Sequence, residues 1–199
     1  MKTFPRQIAA AAVTAGLFAC TSASAALIEF TSRAAFDAAT SGQIVEPNSA
    51  PEGSYVSLGF STYNGITYPG YAYMIDPAYS PVLYEFGTGP VLLLQNETSL
   101  SFAPVTAFAA DFASLGDFGT DITITIDGIE RVLSTSPQQE LTFYGFISST
   151  PFSSVSLRTD AQYIILDNVT RADAAIPETG SFALFGLALA GCAWVRRRR

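Results

Sequence analysis

A run of strict alternation between apolar and polar residues constrains the fold of this chain most. In residues 121–127 isoleucine occupies every second position, so one face of an extended strand would be wholly apolar. Asp127-Gly128 follows, a pair that favours the tight turn of a hairpin, and residues 129–133 supply the returning strand. A helix would spread these isoleucines around its circumference. The segment therefore predicts an antiparallel β-hairpin.

The same period of two recurs along the rest of the chain. It appears in the sets Leu100/Phe102, Phe108/Ala110/Phe112, Leu141/Phe143 and Val155/Leu157. Residues 163–166 form a continuous apolar run, as expected of a strand buried on both faces. Turn-forming residues separate these segments at short intervals. The pattern predicts an all-β domain, an antiparallel β-sandwich of jelly-roll-like type.

One short helix is predicted near the start of this domain. Ser32 is placed as its N-cap, residues 33–40 form the helix, and Gly42 ends it. Phe36 and Ala39 would pack it on the sandwich.

The composition of residues 26–175 excludes several classes of function. This span has no Cys, His, Trp or Lys, and its sixteen acidic residues against four arginines give a net charge of −12. Without His or Cys there is no Ser-His-Asp or Cys-His nucleophile and no thiolate or imidazole zinc site. The negative charge disfavours nucleic acid and anionic lipid. We therefore expect one disulfide-free domain that is not an enzyme.

The N-terminal residues 1–25 have the features of a signal peptide. Lys2 and Arg6 make a basic start, and residues 8–20 are apolar and rich in alanine. The small residues that fit a signal-peptidase cleavage site are Ala23, Ala25 and, after the cut, Ala26. Residues 17–20 offer an alternative, since they loosely resemble a lipobox ending at Cys20, although Phe18 is bulky for that motif.

Residues 176–199 combine a short polar motif, an apolar run and a basic end. The motif is Pro177-Glu178-Thr179-Gly180, and residues 182–195 are uncharged and apolar. The chain then ends in Arg196, Arg197, Arg198 and Arg199. Four guanidinium groups resist transfer across hydrocarbon, so the arginines would remain in the cytoplasm. The run predicts a transmembrane helix of about 21 Å, short against a hydrocarbon core of about 30 Å.

This C-terminal segment resembles the PEP-CTERM sorting signal of Gram-negative exported proteins. Pro177 and Glu178 match the first two motif residues, while Thr179 replaces the usual second proline. The resemblance implies processing by a membrane exosortase. It also implies a domain anchored at the inner membrane, facing the periplasm, and then released to the cell surface or medium. Residues 176–180 resemble the LPxTG motif of sortase substrates as well, which leaves that system as an alternative.

Residues 26–175 loosely resemble the variable β-sandwich domains that such proteins carry. The stretches that match are residues 31–36, 104–108, 144–147, 151–152 and 166–169. The resemblance implies association with exopolysaccharide or biofilm and no defined reaction.

Acidic loop residues are candidate ligands for calcium. Asp111, Asp117 and Asp121 are interspersed with glycines between two predicted strands, and carboxylate oxygens on a flexible loop suit Ca²⁺. Their spacing matches no EF-hand, so a solvated turn is the alternative. Asp167-Asn168, at the end of a strand, is a second oxygen cluster or an ordinary turn. No cofactor is otherwise expected.

Tyrosines are concentrated in one stretch, with seven of nine between positions 55 and 84. An exposed row of their rings would stack on sugars while the hydroxyls form hydrogen bonds. Tyr68, Tyr71 and Tyr73 are the candidates for a glycan site, although tyrosine is also a good strand former. Two functions therefore remain open: a non-enzymatic surface or matrix protein, and a carbohydrate-binding or calcium-dependent adhesion module.

Overall fold

The structure, a computed structural model, describes residues 26–175 except positions 69, 85, 87, 88, 118 and 137–139 and the side chains of Val82 and Tyr84. The predicted signal peptide (1–25) and sorting signal (176–199) lie outside the described residues.

The described part of the chain is mostly β-strand. The strands are β1 Leu27–Phe30, β2 Thr40–Val45, β3 Tyr55–Ser57, β4 Ser61–Tyr63, β5 Ile66–Tyr68, β6 Ala72–Ile75, β7 Val91–Leu115, β8 Ile122–Ile126, β9 Ile129–Leu133 and β10 Thr142–Ala174. The helices are α1 Arg33–Ala38 and α2 Pro81–Tyr84, with a 3₁₀ turn at Pro77–Tyr79. All pairings are antiparallel, which confirms the all-β prediction.

The two long strands β7 and β10 organise the sheet because each pairs in two places. Residues 107–115 of β7 lie between two parts of β10, residues 142–147 and residues 163–172. β1 and β2 extend this arrangement at its two edges, and we call it the first ladder. Residues 97–105 of β7 pair with residues 152–158 of β10, and β8 and β9 continue from there. This second ladder also includes β5 and β6, which both pair with β7. β4 pairs with β5, and β3 pairs with β6.

Both ladders contribute to one main core. The first ladder supplies Phe108, Phe112, Tyr144, Phe146, Ile164 and Leu166. The second ladder supplies Leu92, Leu94, Leu100, Phe102, Val155, Leu157 and the three isoleucines of β8. Since neighbouring residues in a strand point to opposite faces, each ladder also has an outer face. The outer face of the first ladder holds Ala107 and Ala109, on which α1 packs through Phe36.

The predicted hairpin is present. Ile122, Ile124 and Ile126 are fully buried, whereas the intervening threonines are partly exposed. Asp127 and Gly128 have φ values of 51° and 75°, the positive values that a two-residue hairpin turn requires at both positions. The alternation in the sequence therefore correctly predicted both the strand and the face of it that is buried.

The helix is shorter than predicted. Ser32 is the N-cap, as expected, and its side chain accepts a hydrogen bond from the backbone N–H three residues on. However, α1 ends at Ala38, because Thr40 already pairs with β10 and its hydroxyl donates to the Phe36 carbonyl at 2.9 Å. Gly42 lies inside β2 and does not end the helix. The helix ends early because the residues from Thr40 onward pair with β10, and that pairing partner cannot be seen in the local sequence.

A buried ion pair fastens the β4–β5 hairpin to β10. Arg171 and Glu46 form a salt bridge with side chains only 7% and 4% exposed. The same guanidinium donates to the backbone carbonyls of Asn64 and Gly65 at the hairpin turn. Its Nε is buried without a hydrogen-bond partner. Burial, followed by the charge of Glu46, raises the pKa of neighbouring Tyr68 well above its ordinary value.

Candidate functional site

Three exposed tyrosines and one half-buried tyrosine lie at the edge of the sheet formed by β3 and β6. In β6, Ala72 and Met74 point into the core, so Tyr71 and Tyr73 on either side of Ala72 face outward. The Tyr55 ring of β3 lies 5.6 Å from that of Tyr73 and 5.4 Å from that of Tyr79, both edge-to-face. Tyr55, Tyr71 and Tyr79 are 51%, 59% and 49% exposed. We call Tyr55, Tyr71, Tyr73 and Tyr79 the tyrosine surface.

Tyr68, the third candidate from the sequence, is not part of this surface. Its side chain is 2% exposed and belongs to the main core. It lies in β5, where Ile66 and Tyr68 face inward and Thr67 faces outward. The glycan prediction is therefore corrected at this position. Tyr55 and Tyr79, which complete the surface, come from strand β3 and from the 3₁₀ turn at Pro77–Tyr79, and their spacing in the sequence does not group them.

Carboxylates lie at the margin of the tyrosine surface. The Asp76 Oδ1 accepts hydrogen bonds from the backbone N–H groups of Gly53 (3.0 Å) and Ala78 (2.9 Å). These bonds fix the turn that precedes β3 to the 3₁₀ turn that carries Tyr79. Glu52 is exposed on the same turn as Gly53. The rings therefore adjoin fixed negative charge.

Phe60 is a further exposed aromatic residue, outside the tyrosine surface. It is 81% exposed and has a φ of 60°, a conformation uncommon for a bulky side chain. Its backbone N–H donates to the Tyr68 carbonyl at 2.8 Å. The preceding Gly59 is tightly enclosed, since a Cβ there would lie 2.4 Å from the Gly70 carbonyl oxygen. A side chain at position 59 would therefore require the backbone here to move apart.

A polar centre lies on the outer face of the first ladder. Asp111 of β7 and Asp167 of β10 stand directly opposite each other across the strand pair. Asp111 Oδ2 accepts from Arg33 at 3.0 Å and from Asn168 at 2.8 Å, and Arg33 also lies 4.5 Å above the Phe143 ring. Strand pairing, a long-range property, brings the two aspartates together, which is why the sequence did not reveal their proximity.

The second half of the polar centre is built on a β-bulge. The register of β10 shifts between Asp167 and Thr170, and Asn168 has a φ of 49°. Asp167 accepts from the Asn168 backbone N–H at 2.7 Å and from the Asn48 amide at 2.8 Å. Asn168 was predicted to be either an oxygen ligand for calcium or a turn residue. Its amide instead donates to both aspartates, so this centre ties β7, β10, α1 and the loop at Asn48 together.

Burial raises the pKa of Asp167 above its ordinary value, with the Asp111 charge adding to the rise, while the Asn168 N–H, Asn48 and Arg33 oppose it. The folded state therefore binds this proton more tightly than the unfolded chain. The resulting stability is present below the ordinary pKa of 3.8 and is lost as pH rises through the raised value. We expect Asp167→Asn, which cannot ionise, to gain stability relative to the wild type as pH rises through this window.

Chemical denaturation at a series of pH values checks this expectation. Ser153→Asn, which introduces an asparagine at an exposed position and removes no carboxylate, serves as the control. A stability difference between Asp167→Asn and the wild type that stays constant with pH would contradict the assignment.

The three aspartates proposed as calcium ligands are not brought together. Asp111 is engaged in the polar centre, whereas the Asp117 carbonyl receives hydrogen bonds from Ser114 and Thr120 within the loop. The backbone carbonyl of Asp121, just before β8, accepts a hydrogen bond from the Thr159 hydroxyl of β10. Within the described part of the chain, no three or more His, Cys, Asp or Glu residues form a group that could hold a metal.

A polar groove of about 390 Å³ runs over the outer face of the second ladder. Its lining includes Glu97, Ser99, Thr123, Thr125, Ser156 and Arg158, from β7, β8 and β10. These are the outward residues of strands whose inward residues build the core. Glu97, Glu130 and Arg158 give this groove charges of both signs.

Comparison with known proteins returned little. No family model matches the chain, and no curated protein matches it. Among solved structures, a family two carbohydrate esterase from Cellvibrio japonicus is similar, with a TM-score of 0.39 and 14% identity over 61% of this chain and 33% of that one. The chain thus spans about a third of the length of that enzyme. A likeness this small supports no conclusion about activity.

The residues of the predicted sorting motif, the arginine stop and the signal cleavage site before Ala26 lie outside the described residues. Among the residues that the structure does describe, no helix is long and apolar enough to cross a membrane.

Proposed function

We propose that this chain is a non-enzymatic exported protein of the cell surface or extracellular matrix, delivered through a PEP-CTERM-like sorting signal. The order of Pro177-Glu178, an uncharged apolar run and four terminal arginines carries this proposal. Each part suits one step: the arginines stop translocation, the apolar run holds the precursor in the membrane, and the motif is read by an exosortase.

The domain between the two targeting segments suits this role. We propose that its two ladders form a jelly-roll-like sandwich around the shared core. Its charge of −12 keeps such a domain soluble in a hydrated polysaccharide layer. After export the domain faces the periplasm, and after processing it reaches the surface or the medium, in association with exopolysaccharide.

A carbohydrate-binding module is the second candidate, and the exposed rings of the tyrosine surface favour it. The calcium-dependent form of this candidate lacks comparable support, because the three aspartates do not converge. Processing by a sortase at the LPxTG-like residues is an alternative for the C-terminal segment.

Replacing Pro177 and Glu178 with alanine tests the proposed function in the native host. Proline favours an extended, accessible backbone and the carboxylate offers a charge to recognise, so the enzyme loses its motif while the apolar run and arginines remain. We expect a full-length precursor that accumulates in the membrane, measured by fractionation and intact-mass spectrometry. Ser181→Ala, adjacent to the motif, is the matched control and should be processed normally. Normal processing of the double variant would overturn the motif assignment.

A further inference from the structure

The tyrosine surface is a prearranged set of aromatic rings. Tyr55 makes edge-to-face contacts with both Tyr73 and Tyr79, a geometry that aromatic pairs favour. Tyr73 is half-buried and packs against a satellite cluster that includes Leu93 and Ile75. Tyr55 and Tyr71 keep more than half of their surface in contact with solvent. Because the rings of Tyr55, Tyr73 and Tyr79 already constrain one another, a ligand that binds on them would order few further side chains.

The position of the surface suits a long ligand. β3 is the terminal strand on this side of the sheet, next to β6. Nothing in the order β3–β6–β7 places another strand beyond β3 within the described residues. A polymer that crosses the rings can therefore extend past β3 without meeting another strand of the described residues.

The residue types indicate the chemistry of that polymer. Tyrosine combines an apolar face with a hydroxyl at its tip, which matches a sugar ring with its C–H faces and hydroxyl rim. Glu52 and Asp76 at the margin can accept hydrogen bonds from sugar hydroxyls, and bonds to carboxylates are the stronger kind. The same carboxylates, together with the net charge of −12, would repel an anionic polymer or an anionic lipid surface.

We infer that the tyrosine surface binds a neutral polysaccharide chain of the extracellular layer. This inference rests on the exopolysaccharide association proposed above and assigns it to a surface. Tyr55 and Tyr71 stack on the sugar rings, Tyr73 supports the Tyr55 ring from its half-buried position, and Glu52 and Asp76 accept hydrogen bonds from the sugar hydroxyls. No bond is formed or broken, so the surface holds the polymer without altering it.

Affinity electrophoresis tests the inference with the protein as its native host exports it. The probe is the neutral fraction of the host's extracellular polysaccharide, cast into the gel, and alginate is the anionic counter-probe. We expect the neutral fraction to retard the wild type and alginate to leave its mobility unchanged. Tyr55→Ala combined with Tyr71→Ala should weaken binding by about tenfold or more, as loss of aromatic anchors does at other interfaces.

Two further variants separate stacking from a loss of fold. Tyr55→Phe with Tyr71→Phe keeps the rings and should retain most of the retardation. Val132→Ala changes a residue that is similarly exposed, on β9, and should behave as the wild type. Equal retardation of the wild type and the double alanine variant would overturn the inference, and so would retardation by alginate alone or none by the neutral fraction.

The outcome is distinguishable from a failure of the proposed function. The C-terminal processing of each variant is read from its intact mass and does not depend on the rings. A chain that is processed normally but fails to bind the neutral fraction removes only the inference. A chain that is not processed removes the proposed function, whatever its mobility in the gel.

Discussion

Replacing Arg196, Arg197, Arg198 and Arg199 with serine is expected to release the full-length chain into the exported fraction without processing. The remaining apolar run of residues 182–195 is short for a bilayer, and the positive charges are what stop it from passing through. Without them the motif is no longer held at the membrane in front of the processing enzyme. Fractionation of the native host, followed by intact-mass measurement, gives the result directly.

A variant with lysine in place of all four arginines provides the control for this experiment. Lysine at the same four positions keeps the positive charge, so the variant should be anchored and processed as the wild type is. Normal processing of the serine variant would show that the arginines do not set the topology. Loss of processing in both variants would show that the enzyme reads arginine itself rather than charge.

The largest effect on stability is expected at the buried ion pair. Arg171→Met leaves the Glu46 carboxylate buried without its partner and removes the donors to the carbonyls of Asn64 and Gly65. Removing one member of such a pair typically costs about 3–5 kcal/mol. Chemical denaturation of residues 26–175 should show a loss of this order.

Two comparisons test the origin of that loss. Arg33→Met removes a pair whose arginine side chain is 33% exposed, so its cost should be about 1 kcal/mol or less. Combining Arg171→Met with Glu46→Leu removes both charges and should recover much of the stability lost by the single variant. A cost for Arg171→Met no greater than that for Arg33→Met would contradict the assignment of a buried, coupled pair.

Local pattern was sufficient to predict the antiparallel β architecture and several of its strands. The residues of β8 alternate as predicted, with its three isoleucines in the core and the threonines between them partly exposed. Ile164, Ile165 and Leu166 are buried on both faces, as their continuous apolar run indicated. These predictions succeeded because a strand buried on one face alternates apolar and polar residues, whereas a strand buried on both faces is continuously apolar.

The features that the sequence did not reveal depend on contacts between residues that are far apart along the chain. The end of α1 was misplaced because Thr40 pairs with a strand more than 130 residues away. Asp111 and Asp167 form one centre only because β7 and β10 bring them into register. Tyr68 was grouped with Tyr71 by proximity in sequence, yet Tyr68 is buried in the core and Tyr71 is exposed. Ion pairs such as Arg171 with Glu46 likewise leave no local signal.

Mass spectrometry of the mature C-terminus, isolated from the native host, tests the central claim most directly. The account predicts a chain that ends near Pro177 and lacks the apolar run and the arginines. A chain that ends at Thr179 and is joined to peptidoglycan would assign the processing to a sortase instead. A mature protein that retains Arg199 would contradict processing altogether and would leave residues 176–199 as a membrane anchor.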